Sequence, residues 1–206
     1  MQDDEHQSNI PAILIAAGAS KRLGQPKSLL SVGSRTLLAW AYHRLHQEGF
    51  RPLVVTRKEL YDLSIKSLSD DQHVVVNEQP ERGRTSSIQT GLQHLILANL
   101  SLSKGVLIVP IDRPGWPDGV LSKLAERPTS SCLSSEGRNG HPVFVHPNDV
   151  DKLLTCDHSM PLRECIEFSP FEVNAPYLHL NVDSKEDVDV LNVFYDEMQN
   201  SSSKCL

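Results

Sequence analysis

Ile13-Leu-Ile-Ala-Ala-Gly18-Ala-Ser-Lys-Arg22-Leu-Gly-Gln-Pro-Lys27 begins as an apolar strand and ends as a cationic turn, and this change of character decides the fold class. Working outward, short β-branched or apolar runs at Ala12–Ala16, Pro52–Thr56, His73–Asn77, Val106–Ile111 and Pro142–His146 read as strands. Ser131–Ser134 and Phe171–Asn174 are weaker strand candidates. Between them Thr36–Glu48, Glu59–Leu68, Ser86–Leu100, Gly119–Glu126, Asn148–Leu154 and Lys185–Met198 have helical periodicity. Strands alternating with helices predict an α/β fold, a mostly parallel sheet flanked by helices in a single domain over residues 10–199. Residues 1–9 and 200–206 are polar and are expected to be disordered tails.

The turn itself suggests a ligand. Ala16, Ala17 and Gly18 carry almost no side-chain bulk, so a base and ribose can lie against main-chain amides. Lys21, Arg22 and Lys27 follow within one loop, and three cations beside exposed amides suit a triphosphate. A plain β-turn with solvated basic residues would explain a lone glycine turn; the preceding strand and the three cations weigh against it. Gly18 and Gly24 are not followed by Gly-Lys-Ser/Thr, which excludes the P-loop, and Gly-x-Gly-x-x-Gly does not occur at this turn. Pro110-Ile-Asp-Arg-Pro-Gly-Trp-Pro117 breaks structure just after an apolar strand, so Asp112 falls at a carboxyl edge where α/β sheets bind ligands. Asp183 stands before the last helix, and two carboxylates delivered to one edge can hold one Mg²⁺.

Composition narrows the classes further. The 206 residues suit one core, with 39% hydrophobic and 22% charged residues. A formal charge of -6 without a basic run argues against broad nucleic-acid binding. No apolar stretch is long enough to cross a bilayer, and the acidic start is unlike a signal peptide, so the expectation is a cytoplasmic protein. Cys132, Cys156, Cys165 and Cys205 lack the spacing of a zinc knuckle or redox motif and read as free thiols. His43 and His46 read as a surface pair, and Trp40 and Trp116 as packing residues.

Leu14-Ile-Ala-Ala-Gly-Ala-Ser-Lys-Arg-Leu-Gly-Gln-Pro-Lys-Ser-Leu-Leu30 resembles the signature of the MobA-like nucleotidyltransferases, in particular their molybdenum cofactor cytidylyltransferase branch. Gly83-Arg-Thr-Ser-Ser-Ile-Gln-Thr-Gly-Leu92 is similar to the family's serine-rich helix start, and Gly137-Arg-Asn-Gly-His-Pro-Val-Phe144 to the Gly-His-Pro segment of that branch. The resemblance implies a Rossmann-like fold and transfer of a nucleotidyl group, with CTP favoured, to a phosphorylated acceptor, with release of pyrophosphate. The acceptor it implies is molybdopterin or molybdenum cofactor, and docking to a molybdoenzyme or cofactor-insertion partner would follow. It assigns Ala16, Ala17, Gly18, Lys21, Arg22, Lys27, Ser86 and Ser87 to the nucleotide, and Arg22, Lys27 and Asp112 to catalysis. Asp112 and Asp183 would hold Mg²⁺, with Gly140 and His141 toward the acceptor. Capping of a helix is the alternative role for Ser86, Ser87, Asp183 and Ser184.

Two segments depart from the family pattern. Ile111 replaces the glycine usual before the aspartate, with Arg113 in reach of Asp112. Ser184-Lys-Glu-Asp187 replaces Thr-Pro-Glu-Asp. A sugar- or alditol-phosphate nucleotidyltransferase is the alternative within the enzyme class. A catalytically inactive nucleotide- or cofactor-binding protein is the alternative outside it.

Overall fold

The computed structural model describes residues 10–18, 20, 22–68 and 73–202, with side chains to residue 200. β1 (Pro11–Ile15), β4 (Arg51–Thr56), β5 (Val74–Val76), β6 (Val106–Pro110), β7 (Ser131–Ser135), β8 (Arg138–Val145) and β9 (Ser169–Glu172) form one sheet in the order β5-β4-β1-β6-β8-β7-β9. β8 pairs antiparallel with both neighbours while the remaining pairs are parallel, so β8 alone runs against the other six. A two-stranded ribbon of β2 (Ser31–Val32) and β3 (Arg35–Thr36) was not foreseen from sequence. Each strand is two residues long, too short for alternation to be read.

β1 organises both layers because its side chains alternate between two cores. Ala12 and Leu14 face α1 (Leu37–Gln47), α4 (Val120–Ala125) and α7 (Lys185–Ser202), with Leu37, Leu121 and Leu191 fully buried there. Ile13 and Ile15 face α3 (Arg84–Leu97) and α5 (Pro147–Thr155) through Ile88, Leu92 and Leu153. α2 (Tyr61–Leu68) joins the first layer and the short α6 (Leu162–Cys165) the second. Gly91 lets α3 lie close to the sheet, since a Cβ there would come 2.9 Å from Ile13 Cδ1. The chain runs β1 to β4 to β5 on one side and then returns to β6 on the other side of β1. This is the topological switch that opens a crevice beyond the carboxyl ends of β1 and β6.

Several boundaries differ from the sequence reading. β8 begins at Arg138 and not at Pro142, so Gly140 and His141 lie within the strand. α3 begins at Arg84 with Gly83 as its N-cap residue, at φ 106°, so Ser86 and Ser87 lie inside the first turn and are not the caps. The left-handed glycine begins this helix by geometry, which a search for capping side chains misses. α7 extends to Ser202, past the expected end at Met198 and into the segment expected as a tail from residue 200. The expected tails at 1–9 and 203–206 lie outside the described residues.

Candidate active site

The crevice beyond β1 and β6 holds a cavity of about 500 Å³. Ala16, Ala17 and Gly18 form its floor after β1, and a Cβ on Gly18 would meet nothing within 4 Å, which leaves open space above the main chain. The loop then folds back on itself. Ser20, at φ 48°, accepts the Lys27 N–H through Oγ at 2.9 Å, and a 3₁₀ turn over Lys27–Leu29 follows Pro26. Lys27 is thereby fixed at the mouth of the loop. Lys21 lies outside the described residues.

Three cations and two carboxylates meet here. Lys27 Nζ lies 3.6 Å from Asp112 Oδ2 and donates a short hydrogen bond to Asp183 Oδ1, with only 13% of its side chain exposed. Arg84 Nη2 is 3.8 Å from Asp112 Oδ2, and Arg22 Nη1 reaches Asp183 Oδ2 at 4.0 Å with its side chain mostly exposed. The Lys27 ammonium, which donates that hydrogen bond, holds the Asp183 carboxyl below the usual carboxylate range, and Asn181 and Arg22 add to this. The Val182 N–H donates to the Asp112 carbonyl at 2.9 Å, so the two aspartate-bearing segments run side by side. Ser184 and Asp187 form a reciprocal cap on α7, each accepting the other's backbone N–H. Capping therefore falls to Ser184 and Asp187, and the Asp183 carboxylate is left for the cavity.

Arg113, in reach of Asp112 by sequence, forms no ion pair with it. Arg113 turns away, donates to the His179 carbonyl at 3.3 Å, and leaves Lys27 and Arg84 as the cations on Asp112. Asp112 stands two residues past the end of β6, where the Ile111 N–H still donates to Ile15 O. Ile111 is buried in the core, so its bulk does not obstruct the carboxylate.

The α3 N-terminus closes the opposite wall. Gly83, Arg84 and Ser87 line the cavity, and the first-turn amides supply the partial positive charge that favours phosphate. Asn77 Nδ2 donates to Ser86 Oγ at 3.2 Å and to Ser87 Oγ at 3.0 Å, holding both hydroxyls. Ser86 faces a smaller, separate hollow with Gln89 and His158, so the structure divides the two serines between two recesses. Gly140 and His141 are not among the residues lining the main cavity. Gly140 packs on Leu178, while His141 Nε2 lies 3.5 Å from Arg84 Nη1, behind the cavity wall. Burial, with Arg84 and Arg113 nearby, pulls the His141 pKa down to about 4 against the opposing charge of Asp112.

Sequence reasoning missed Arg84, Ser20 and Ser28. Ser28 Oγ is buried at the cavity without a hydrogen-bond partner among the described residues, an arrangement that invites a polar ligand. Arg84 was legible as the cation following Gly83 at a helix start; Ser20 and Ser28 gave no signal apart from their place in the loop. Trp40 and Trp116 are buried core residues, as expected for packing.

Two acidic side chains within reach of one ammonium can serve a single cation, and their oxygens are the hard donors that Mg²⁺ takes. Among the described residues no cluster of three His, Cys, Asp or Glu side chains surrounds such a position. The pair therefore fits a metal that completes its shell with phosphate oxygens and water.

A switch-point crevice with a bare glycine floor, a helix N-terminus and a cation-rich wall is the arrangement of an α/β domain that binds phosphorylated ligands. Residues 12–173 match the MobA-like NTP transferase domain family. The chain belongs to that family. A molybdenum cofactor guanylyltransferase of Rhizobium johnstonii is 29% identical over 143 residues, covering 67% of this chain and 63% of the relative. This chain thus spans less than two thirds of that relative's length. The crystal structure of Rv0371c from Mycobacterium tuberculosis H37Rv shares the fold at a TM-score of 0.76 and 21% identity, over 90% of this chain and 99% of that one. The same mycobacterial protein complexed with manganese aligns at a TM-score of 0.70 and 18% identity, over 90% and 99% of the two chains.

Proposed function

We propose that this protein transfers a nucleotidyl group from a nucleoside triphosphate to a phosphorylated acceptor and releases pyrophosphate. The observation that carries this reading is Lys27, fixed between Asp112 and Asp183 at the mouth of a cavity with a glycine floor and a helix N-terminus. A triphosphate must lose much of its charge repulsion before an acceptor oxygen can attack the α-phosphorus. Lys27, Arg22 and Arg84 supply positive charge where the pyrophosphate leaves. Asp112 and Asp183 would hold Mg²⁺, which when bound neutralises phosphate charge and aligns the reacting groups. An acceptor phosphate is already ionised at neutral pH, so no general base is required. Positioning and charge then supply most of the rate.

CTP is the favoured donor. Ser87 Oγ accepts from Asn77, so its own hydrogen is free to donate into the cavity. Cytosine offers O2 and N3 as acceptors on its pairing edge. Guanine offers O6 as the one acceptor of its pairing edge and presents N1–H and an amino group that call for acceptors, whereas cytosine presents a single amino group. GTP is the second reading, favoured by the relative's name as a guanylyltransferase. That name also supports a molybdenum cofactor acceptor. We assign the acceptor to the side of Arg84 and His141, with Gly140 in the strand behind them, and place the protein in the cytoplasm, where a docked molybdoenzyme or cofactor-insertion partner would take the product.

A pyrophosphate-release screen of CTP, GTP, ATP and UTP against molybdopterin and simple sugar phosphates tests the reading. Release with CTP that requires both molybdopterin and a divalent cation is expected. Release with GTP alone would transfer the donor assignment to guanine, and silence with every pair would leave a nucleotide-binding protein without transfer.

A further inference from the structure

Outside the cavity, two thiols meet that the sequence keeps apart. Cys156 follows the end of α5, Cys165 closes α6, and the Cys165 thiol lies 2.7 Å from Cys156 Sγ. That is within about 0.7 Å of the ~2.05 Å of a sulfur–sulfur bond. Both cysteines are free and only partly buried, so a small oxidant can reach them. Among the described residues no third His, Cys, Asp or Glu completes a metal-binding group with them. We propose that Cys156 and Cys165 are a reversible dithiol–disulfide pair that clasps the 156–165 loop against the first turn of α3.

The loop already grips that turn. Thr85 Oγ1 donates to the Met160 carbonyl within the loop. Gln89 Nε2, one helical turn further along, donates to the carbonyls of Leu153 and Cys156, each at 2.9 Å. Thr85 sits between Arg84 and Ser86, so a covalent closure of the loop reaches the helix end that walls the cavity.

The chemistry needs a two-electron oxidant, and a low-molecular-weight disulfide such as glutathione disulfide suffices. Burial and the hydrogen bond to Cys156 push the Cys165 thiol up to about 12, which disfavours Cys165 as the first nucleophile and leaves that step to Cys156. Its thiolate attacks one sulfur of glutathione disulfide and displaces one glutathione thiolate. The Cys165 sulfur then attacks Cys156 Sγ, displaces the second glutathione, and the two protein thiol protons end on the two glutathione thiols. The protein is oxidised by two electrons and the small disulfide is reduced to two thiols.

Non-reducing peptide mapping of the full chain, equilibrated with either dithiothreitol or glutathione disulfide, tests the proposal. Oxidised protein should lose the mass of two hydrogens, yield a peptide with Cys156 linked to Cys165, and revert under dithiothreitol. Cys156→Ser and Cys165→Ser should each leave a glutathione adduct on the remaining thiol, whereas Cys205→Ser should still form the link. Separate glutathionylation of Cys156 and Cys165 in the native sequence, or their pairing with Cys132 or Cys205, would overturn the proposal. Amide exchange across residues 83–90 should slow several-fold on oxidation; equal rates in both redox states would refute the coupling to α3. Neither readout depends on nucleotidyl transfer, so the pair stands or falls apart from the proposed function.

Discussion

The Lys27 ammonium pairs with two carboxylates that come from separate loops, and in the proposed function the same side chain meets a triphosphate. Lys27→Ala is expected to lower the rate of pyrophosphate release by about 10²-fold or more, in line with losing one preorganised charge at a transition state. The circular dichroism spectrum should be unchanged, and turnover at the native rate would remove Lys27 from the site. The Asp183 carboxyl, held low by Lys27, contributes stability above the ordinary carboxylate pKa and loses it as pH falls through its folded value.

His141 has the opposite chemistry, a base held neutral by burial. Its pKa is about 4 in the fold against roughly 6.5 when unfolded, so between these values the unfolded chain binds the extra proton. Stability therefore falls as pH drops from about 6.5 toward 4. His141→Gln should remove about 2 kcal/mol of the difference between urea-unfolding free energies at pH 7 and pH 5. An unaltered pH slope would mean that the imidazole is not buried as neutral.

At the scale of elements, the Asp112 loop is held by close backbone approach. A Cβ on Gly115 would sit 1.8 Å from the Tyr177 carbonyl oxygen, a main-chain atom that cannot turn aside. Gly115→Ala should cost about 3 kcal/mol or more in thermal or urea unfolding. Arg44 from α1 reinforces the same loop by donating to the Pro114 and Trp116 carbonyls, stacked near the Trp40 and Trp116 rings. Strands β1, β4, β5 and β6 were legible because they are apolar and largely β-branched, and the longer helices because their faces are periodic, whereas the four-residue α6 gave no such signal. Their ends were less legible: α3 starts on a left-handed glycine, and β8 absorbs polar residues that composition assigns to a turn.

Across the whole molecule, the cavity lies at the switch point between β1 and β6, so residues from both sides of the sheet wall it. CTP at a hundred times its dissociation constant should add about 2.7 kcal/mol to stability. For a chain of 206 residues that corresponds to a Tm rise of roughly 5–10 °C. Most of this rise should need a divalent cation and disappear on chelation. An equal rise with a chelator present would exclude Asp112 and Asp183 as a metal pair.

The sequence by itself determined the α/β class and the family resemblance, and it singled out the small residues Ala16–Gly18 and the charged groups Lys27, Asp112 and Asp183 as candidates for the site. These are local properties: hydrophobic period, side-chain bulk and charge within a few residues. Only the tertiary structure decided that one ammonium serves both carboxylates, that Arg84 and not Arg113 stands at Asp112, and that Ser86 and Ser87 face different recesses. It also brought Cys156 to Cys165. Each of these turns on the direction of a side chain across packed elements, which sequence spacing does not encode.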